Sequence, residues 1–169
     1  MSEVRARCRG WGVRSSREFV TRNAEETHEV GRNLGERLHG GEVILLFGPL
    51  GAGKTVFVRG LAEGMGLDSE EVRSPSYTLI NEHPGKVSLF HADLYRLSPD
   101  ALPDLGLEEL YGEGQVVAVE WAERLEEAGW DLGDAVIVEI DYHPSEDETR
   151  MIVLDAVDVF TTGGNGGAG

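Results

Sequence analysis

The chain has 169 residues, 40% of them hydrophobic, enough for one domain with a sizeable core and too apolar for a disordered chain. No apolar run approaches the roughly 20 residues of a membrane span, the N-terminal arginines lack the apolar stretch of a signal peptide, and the single cysteine, Cys8, excludes an internal disulfide or a cysteine metal cluster. The net charge of −16 is lopsided, with 13 acidic and 13 basic residues up to Arg96 and then 18 acidic against two basic, Arg124 and Arg150, so the second half repels phosphate backbones and the chain alone is a poor nucleic-acid binder.

Residues 1–16 are rich in arginine and glycine without a period and read as a flexible arm. Residues 17–22 (REFVTR) read as a short strand. In residues 24–38, Val30, Leu34 and Leu38 recur on one helix face. Thr21 or Asn23 caps that helix, Glu25 and Glu26 suit the positive end of its dipole, and Gly40-Gly41 ends it. Residues 42–47 (EVILLF) are almost all apolar, the pattern of a strand buried on both faces in a parallel sheet. A glycine-rich turn and a helix over residues 54–64 follow. Residues 77–82 and 87–90 read as strands around the turn NEHPGK. Residues 115–119 (QVVAV) form another buried strand that stops at Glu120, and residues 121–128 read as helical. Residues 135–140 and 150–156 make a final hairpin around HPSEDET, and the tail TTGGNGGAG reads as disordered.

Gly48 to Thr55 fits G-x-x-x-x-G-K-[ST], the phosphate-binding loop, with the apolar strand before it and the helix after it that the motif requires. Gly48, Gly51 and Gly53 let backbone amides approach phosphate oxygens, and the helix N-terminus adds partial positive charge. Lys54 is one of only two lysines, against 13 arginines. A slim ammonium suits the β/γ-phosphates there, and the Thr55 hydroxyl suits Mg²⁺. Two strand-end acids compete for the carboxylate that Mg²⁺ also needs, directly or through water. Glu120 follows the better strand and sits at the edge where open α/β sheets bind ligands. Asp93, in HADLYRL, either orients the attacking water or meets Mg²⁺ through water. The hydroxyl-rich loop Ser74-Pro75-Ser76-Tyr77 reads as a γ-phosphate sensor or an ordinary turn. His91 reads as a strand-end core histidine, Trp121 as core or nucleotide neighbour, and Arg73 and Arg96 as charge stabilisers.

The ordered set GPLGAGKTVFVRG, SPSYTLI, HADLYRL and VEWAERL closely resembles the TsaE (YjeE) family, over roughly residues 19–156. The resemblance implies a small ATPase of tRNA threonylcarbamoyladenosine biosynthesis, weakly active alone. It implies work with a TsaB–TsaD pair, in which TsaD transfers the threonylcarbamoyl group and the ATPase resets the complex. tRNA then concerns this chain only through those partners. On the matching motifs, Gly51, Ala52, Gly53, Lys54, Thr55 and Val56 bind the phosphates of ATP, and Thr55 and Glu120 hold Mg²⁺. Asp93 is needed for hydrolysis, Trp121 lies close to the nucleotide, and Thr21 meets its nucleoside end. Two departures stand out: Ser76 where the family has Thr, and Ala122 where it has Pro.

The main rivals are a small-molecule P-loop kinase and a GTPase. A kinase needs an arginine-bearing lid, and residues 97–113 are acidic without one; guanine readout uses N-K-x-D, and neither lysine follows an asparagine. The expected architecture is a three-layer α/β P-loop NTPase fold with a mixed, mainly parallel sheet and a C-terminal antiparallel hairpin. The domain spans residues 17–158, with arms at 1–16 and 159–169, in a cytoplasmic protein without membrane association.

Overall fold

A computed structural model describes residues 14–75 and 77–157. The bulk of the expected N-terminal arm, the expected tail and Ser76 of the sensor loop lie outside the described residues. One seven-stranded sheet, in the order β1-β7-β6-β2-β5-β4-β3, carries the fold. The apolar runs behave as expected: β2 (Val43–Phe47) is central, pairing in parallel with β5 (Gln115–Glu120) on one side and β6 (Val136–Tyr142) on the other. Next to β5 lies β4 (Ser88–Asp93), also parallel. The flanking strands run antiparallel: β3 (Ile80–His83) on β4, and β7 (Arg150–Val157) with β1 (Arg14–Thr21) beyond β6. The C-terminal hairpin thus continues the parallel core instead of forming a separate unit.

Strand alternation divides the interior in two. Ile44, Leu46, Leu89, Val116 and Ala118 face the layer formed by α1 (Ala24–Gly35) and α2 (Lys54–Gly64). Leu45, Phe47, Val117 and Val119 face the opposite layer, made of α3 (Glu123–Glu127) and three short 3₁₀ turns between Pro99 and Leu110. Each run has apolar side chains for both layers, which is why it reads as unbroken.

α1 and α2 pack through two glycine pairs, Gly31/Gly35 and Gly60/Gly64. A Cβ on Gly31 would lie 2.2 Å from the Phe57 carbonyl oxygen, and one on Gly60 would lie 1.9 Å from that of His28. The backbones therefore touch, and α2 is braced along its length. Asn23 caps α1, its side-chain oxygen accepting from the Glu26 N–H at 2.8 Å, so Asn23 rather than Thr21 fills the expected capping role.

Several boundaries differ from the sequence reading. β1 begins at Arg14, so three residues of the expected arm belong to the sheet; Arg14 donates to the Asp155 carboxylate at 2.8 Å and to the Ala135 carbonyl at 2.8 Å. α1 stops at Gly35 rather than at residue 38. Tyr77–Leu79 form a turn, because Leu79 adopts φ 67° and donates its N–H to the Pro75 carbonyl at 2.8 Å; β3 starts only at Ile80. Residues 97–113 are a packed segment: Leu102 and Leu107 are fully buried in the second core, while Asp100, Asp104, Glu108 and Glu109 point to solvent.

Candidate nucleotide site

The glycine loop joins the end of β2 to α2. Gly48 has φ 141°, and a Cβ there would meet the Ile140 carbonyl oxygen at 2.1 Å, so only glycine lets the chain turn this close to β6. Gly53 has φ 107° at the N-cap of α2. Among the described residues no side chain caps α2, and its first turn holds no acid, unlike α1, where Asn23, Glu25 and Glu26 do both. The N-terminus of α2 therefore keeps its free amides and uncompensated partial positive charge for an anion.

Lys54 is buried, its ammonium donating to the Gly48 and Pro49 carbonyls at 2.6 and 2.9 Å and lying 4.1 Å over the Trp121 ring. Burial pushes its pKa below the usual lysine range, opposed by the carboxylates of Glu123, Glu120 and Asp93. Phosphate oxygens at α2 would give this ammonium the anionic partner that burial withholds.

The two candidate acids have different partners. Glu120, at the end of β5, is 3% exposed; its Oε1 accepts from the Thr55 hydroxyl at 2.8 Å and lies 2.7 Å from His91 Nε2. Asp93, cross-strand from Glu120, accepts from the Ser74 hydroxyl at 2.7 Å and from the Tyr95 N–H at 2.9 Å. Asp93 is thus tied to the expected sensor loop, and Glu120 to the phosphate loop. Leu50, Gly51, Ala52, Gly53, Lys54, Thr55, Val56, Ser74, Asp93, Tyr95, Arg96, Glu120 and Trp121 line one cleft of about 450 Å³. On the other side of the loop, a hollow of about 140 Å³ is bounded by Asn23, Thr27, Val56, Glu148 and Arg150 among others.

Not every expected residue reaches the cleft. Thr21 is 2% exposed and its hydroxyl is 2.8 Å from that of Thr27, which itself faces the smaller hollow. Gly48 sits behind the loop as its pivot. Arg96 lies at the cleft, its guanidinium 4.7 Å over the exposed Tyr77 ring, whereas Arg73 does not line it. Trp121 adopts φ 60°, which starts α3 two residues later than the expected helix and turns the indole back over Lys54.

Three contributors went unread in the sequence. His91 touches Glu120, although it reads as plain core. Glu123 accepts the Gly48 N–H at 2.8 Å across 75 positions of sequence; the second acid of VEWAERL was its only signal. Tyr142 donates its hydroxyl to the Leu50 carbonyl at 2.6 Å and carries Arg150 4.4 Å over its ring, so the C-terminal hairpin props the loop. Nothing local marks Tyr142.

The residues fit a nucleotide with Mg²⁺. A hydroxyl and a carboxylate, both hard oxygen donors, meet beside a free helix N-terminus and a buried ammonium. Among the described residues no group of three or more His, Cys, Asp or Glu is placed to hold a metal. A cation held here would need most of its ligands from phosphate and water, which suits Mg²⁺.

A parallel-core α/β sheet with this loop and a strand-end acid on the loop's threonine defines a P-loop nucleoside triphosphatase. Comparison with known proteins narrows the class. The family described as threonylcarbamoyl adenosine biosynthesis protein TsaE matches residues 21–152, and the chain belongs to that family. It is similar to tRNA threonylcarbamoyladenosine biosynthesis proteins TsaE of a Nostoc species (49% identical; 60% of this chain, 65% of the relative) and of Treponema pallidum (44%; 63% and 78%). It is also similar to the crystal structure of YdiB of Bacillus subtilis, with 33% identity, a TM-score of 0.67 and 87% and 89% of the two chains covered.

Proposed function

We propose that this chain is an ATPase using Mg²⁺, required for the threonylcarbamoyl modification of adenosine in tRNA and acting on a TsaB–TsaD type complex without transferring the group itself. Family membership supports the role. One structural observation carries the chemistry: the Thr55 hydroxyl and the Glu120 carboxylate meet at 2.8 Å beside the uncapped start of α2, while Asp93 is held separately by Ser74. Thr55 and Glu120 would hold the cation, which when bound would supply charge neutralisation at the phosphate oxygens. Gly51 to Val56 present backbone N–H groups to the phosphates. Lys54 exchanges its two loop carbonyls for β/γ oxygens. Asp93, fixed by Ser74 and the Tyr95 N–H, orients the attacking water and accepts its proton.

Nothing in the geometry favours a small-molecule kinase. The segment that would serve as a lid is anchored by Leu102 and Leu107, and its exposed charged groups are all carboxylates. Those carboxylates give the acidic half a docking role toward a partner with a basic face, and tRNA stays with the partner. Among the described residues no helix is long and apolar enough to cross a membrane. We place the chain in the cytoplasm, where its tRNA-modifying partners act.

The test is ATP turnover with and without the TsaB–TsaD pair. Stimulation by the pair, weakened by added salt and abolished by Glu120→Gln, is expected. No stimulation together with phosphorylation of a small metabolite would overturn the reading.

A further inference from the structure

His91 is fully buried on the α1–α2 face of β4, between Leu89 and Asp93 and opposite Ala118. An aliphatic side chain would pack at such a position with no polar atom to satisfy. The imidazole instead brings Nδ1, which is buried without a hydrogen-bond partner among the described residues, and a buried polar atom left so calls for an explanation. What the ring uniquely supplies is the other nitrogen, 2.7 Å from Glu120 Oε1. A carboxylate accepts only, so Nε2 carries the hydrogen and donates it to Glu120.

Glu120 Oε1 thus receives two donors, His91 Nε2 and the Thr55 hydroxyl, and both its lone pairs are used. Oε2 is left for a cation. Glutamate also has one more rotatable bond than the aspartate usual at this place, so the strand alone does not set its carboxylate. Thr55 alone could hold Oε1 in more than one rotamer; a second donor from the neighbouring strand removes that freedom. We propose that His91 is a positioning residue: from inside the core it holds Glu120 against Thr55 so that Oε2 meets the cation. His91 lines no part of the cleft, so it acts through Glu120. The inference rests on Thr55 and Glu120 as the Mg²⁺ ligands of the preceding section.

The test compares two amides. The glutamine nitrogen of His91→Gln lies about where Nε2 does, and the asparagine nitrogen of His91→Asn lies about where the unpartnered Nδ1 does. Mn²⁺ binding to the ADP-saturated protein is read from the free-ion electron paramagnetic resonance signal, and ADP affinity in EDTA is read by calorimetry. His91→Asn should weaken Mn²⁺ binding roughly 10-fold or more, as loss of partners behind a metal ligand does, with ADP affinity in EDTA unchanged. His91→Gln should bind Mn²⁺ nearly as the parent does. Glu120→Gln should lose Mn²⁺ binding, and His91→Asn should add nothing further in that background. Equal Mn²⁺ affinities for parent and His91→Asn, or equal losses in the Asn and Gln variants, would overturn the positioning role. Parent-like Mn²⁺ binding by Glu120→Gln would instead overturn the ligand assignment beneath it.

Discussion

Gly60→Ala tests whether the contact of α1 with α2 is as close as the structure shows. On an exposed helix the change is favourable, since alanine exceeds glycine in helix propensity by about 0.8–1 kcal/mol. Here the new Cβ would lie 1.9 Å from the His28 carbonyl oxygen, 2.8 Å from its carbon and 2.9 Å from the Arg32 nitrogen. All three are backbone atoms, so no side chain can swing away. Reaching an ordinary contact of about 3.5 Å requires the helices to part by roughly 1.5 Å, and a gap of even 0.5–1 Å forfeits a quarter to a half of each dispersion contact along the seam. Overpacking of this kind costs about 1–3 kcal/mol. At the upper end, offset by the propensity gain, the net loss is about 2 kcal/mol, or roughly 4–8 °C in Tm for a domain of this size. Urea denaturation followed by circular dichroism, with calorimetry for Tm, reads both. A midpoint equal to or above the parent's would mean that propensity wins and that the helices do not touch.

Glu123→Ala should raise the Kd for ADP about tenfold, because the half-buried Gly48 N–H then lacks its acceptor, a loss of about 1–3 kcal/mol. Glu123→Gln keeps an acceptor oxygen and should bind nearly as the parent does; equal losses in the two variants would show that charge, not the hydrogen bond, sets the loop. His83 supplies a pH test away from the site. Burial, reinforced by His91 and opposed by Glu71, holds its pKa below the usual imidazole value. The charged ring is disfavoured in the folded state, so its penalty is complete below the folded pKa and fades as pH rises toward about 6.5. The parent should therefore gain stability relative to His83→Gln as pH rises through that window, and parallel stability curves for the two proteins between pH 5 and pH 7 would refute this.

Much of the site was legible because its signals are local. The strand–loop–helix order around Lys54, the α2 bounds Lys54–Gly64 and the buried runs of β2 and β5 all follow from residue type and spacing over a dozen positions. The competition between the two acids was legible only in part, because the better strand favours Glu120 but says nothing of its contact with Thr55. Asp93 and Glu120 each end a strand, and only the register that sets them side by side, with α2 above, shows which one meets Thr55.

By itself the sequence determined the ligand class, the α/β layering and the family, since these depend on periodicity and on motifs contiguous in the chain. Tertiary structure alone decided who supports the loop. Glu123 reaches Gly48, Tyr142 reaches Leu50 and His91 reaches Glu120 from distant strands and turns. It also decided the left-handed Trp121 that lays an indole over Lys54. Those contacts are properties of sheet order and strand register, which arise when two faces of one sheet are buried together and leave no periodic trace in any single segment.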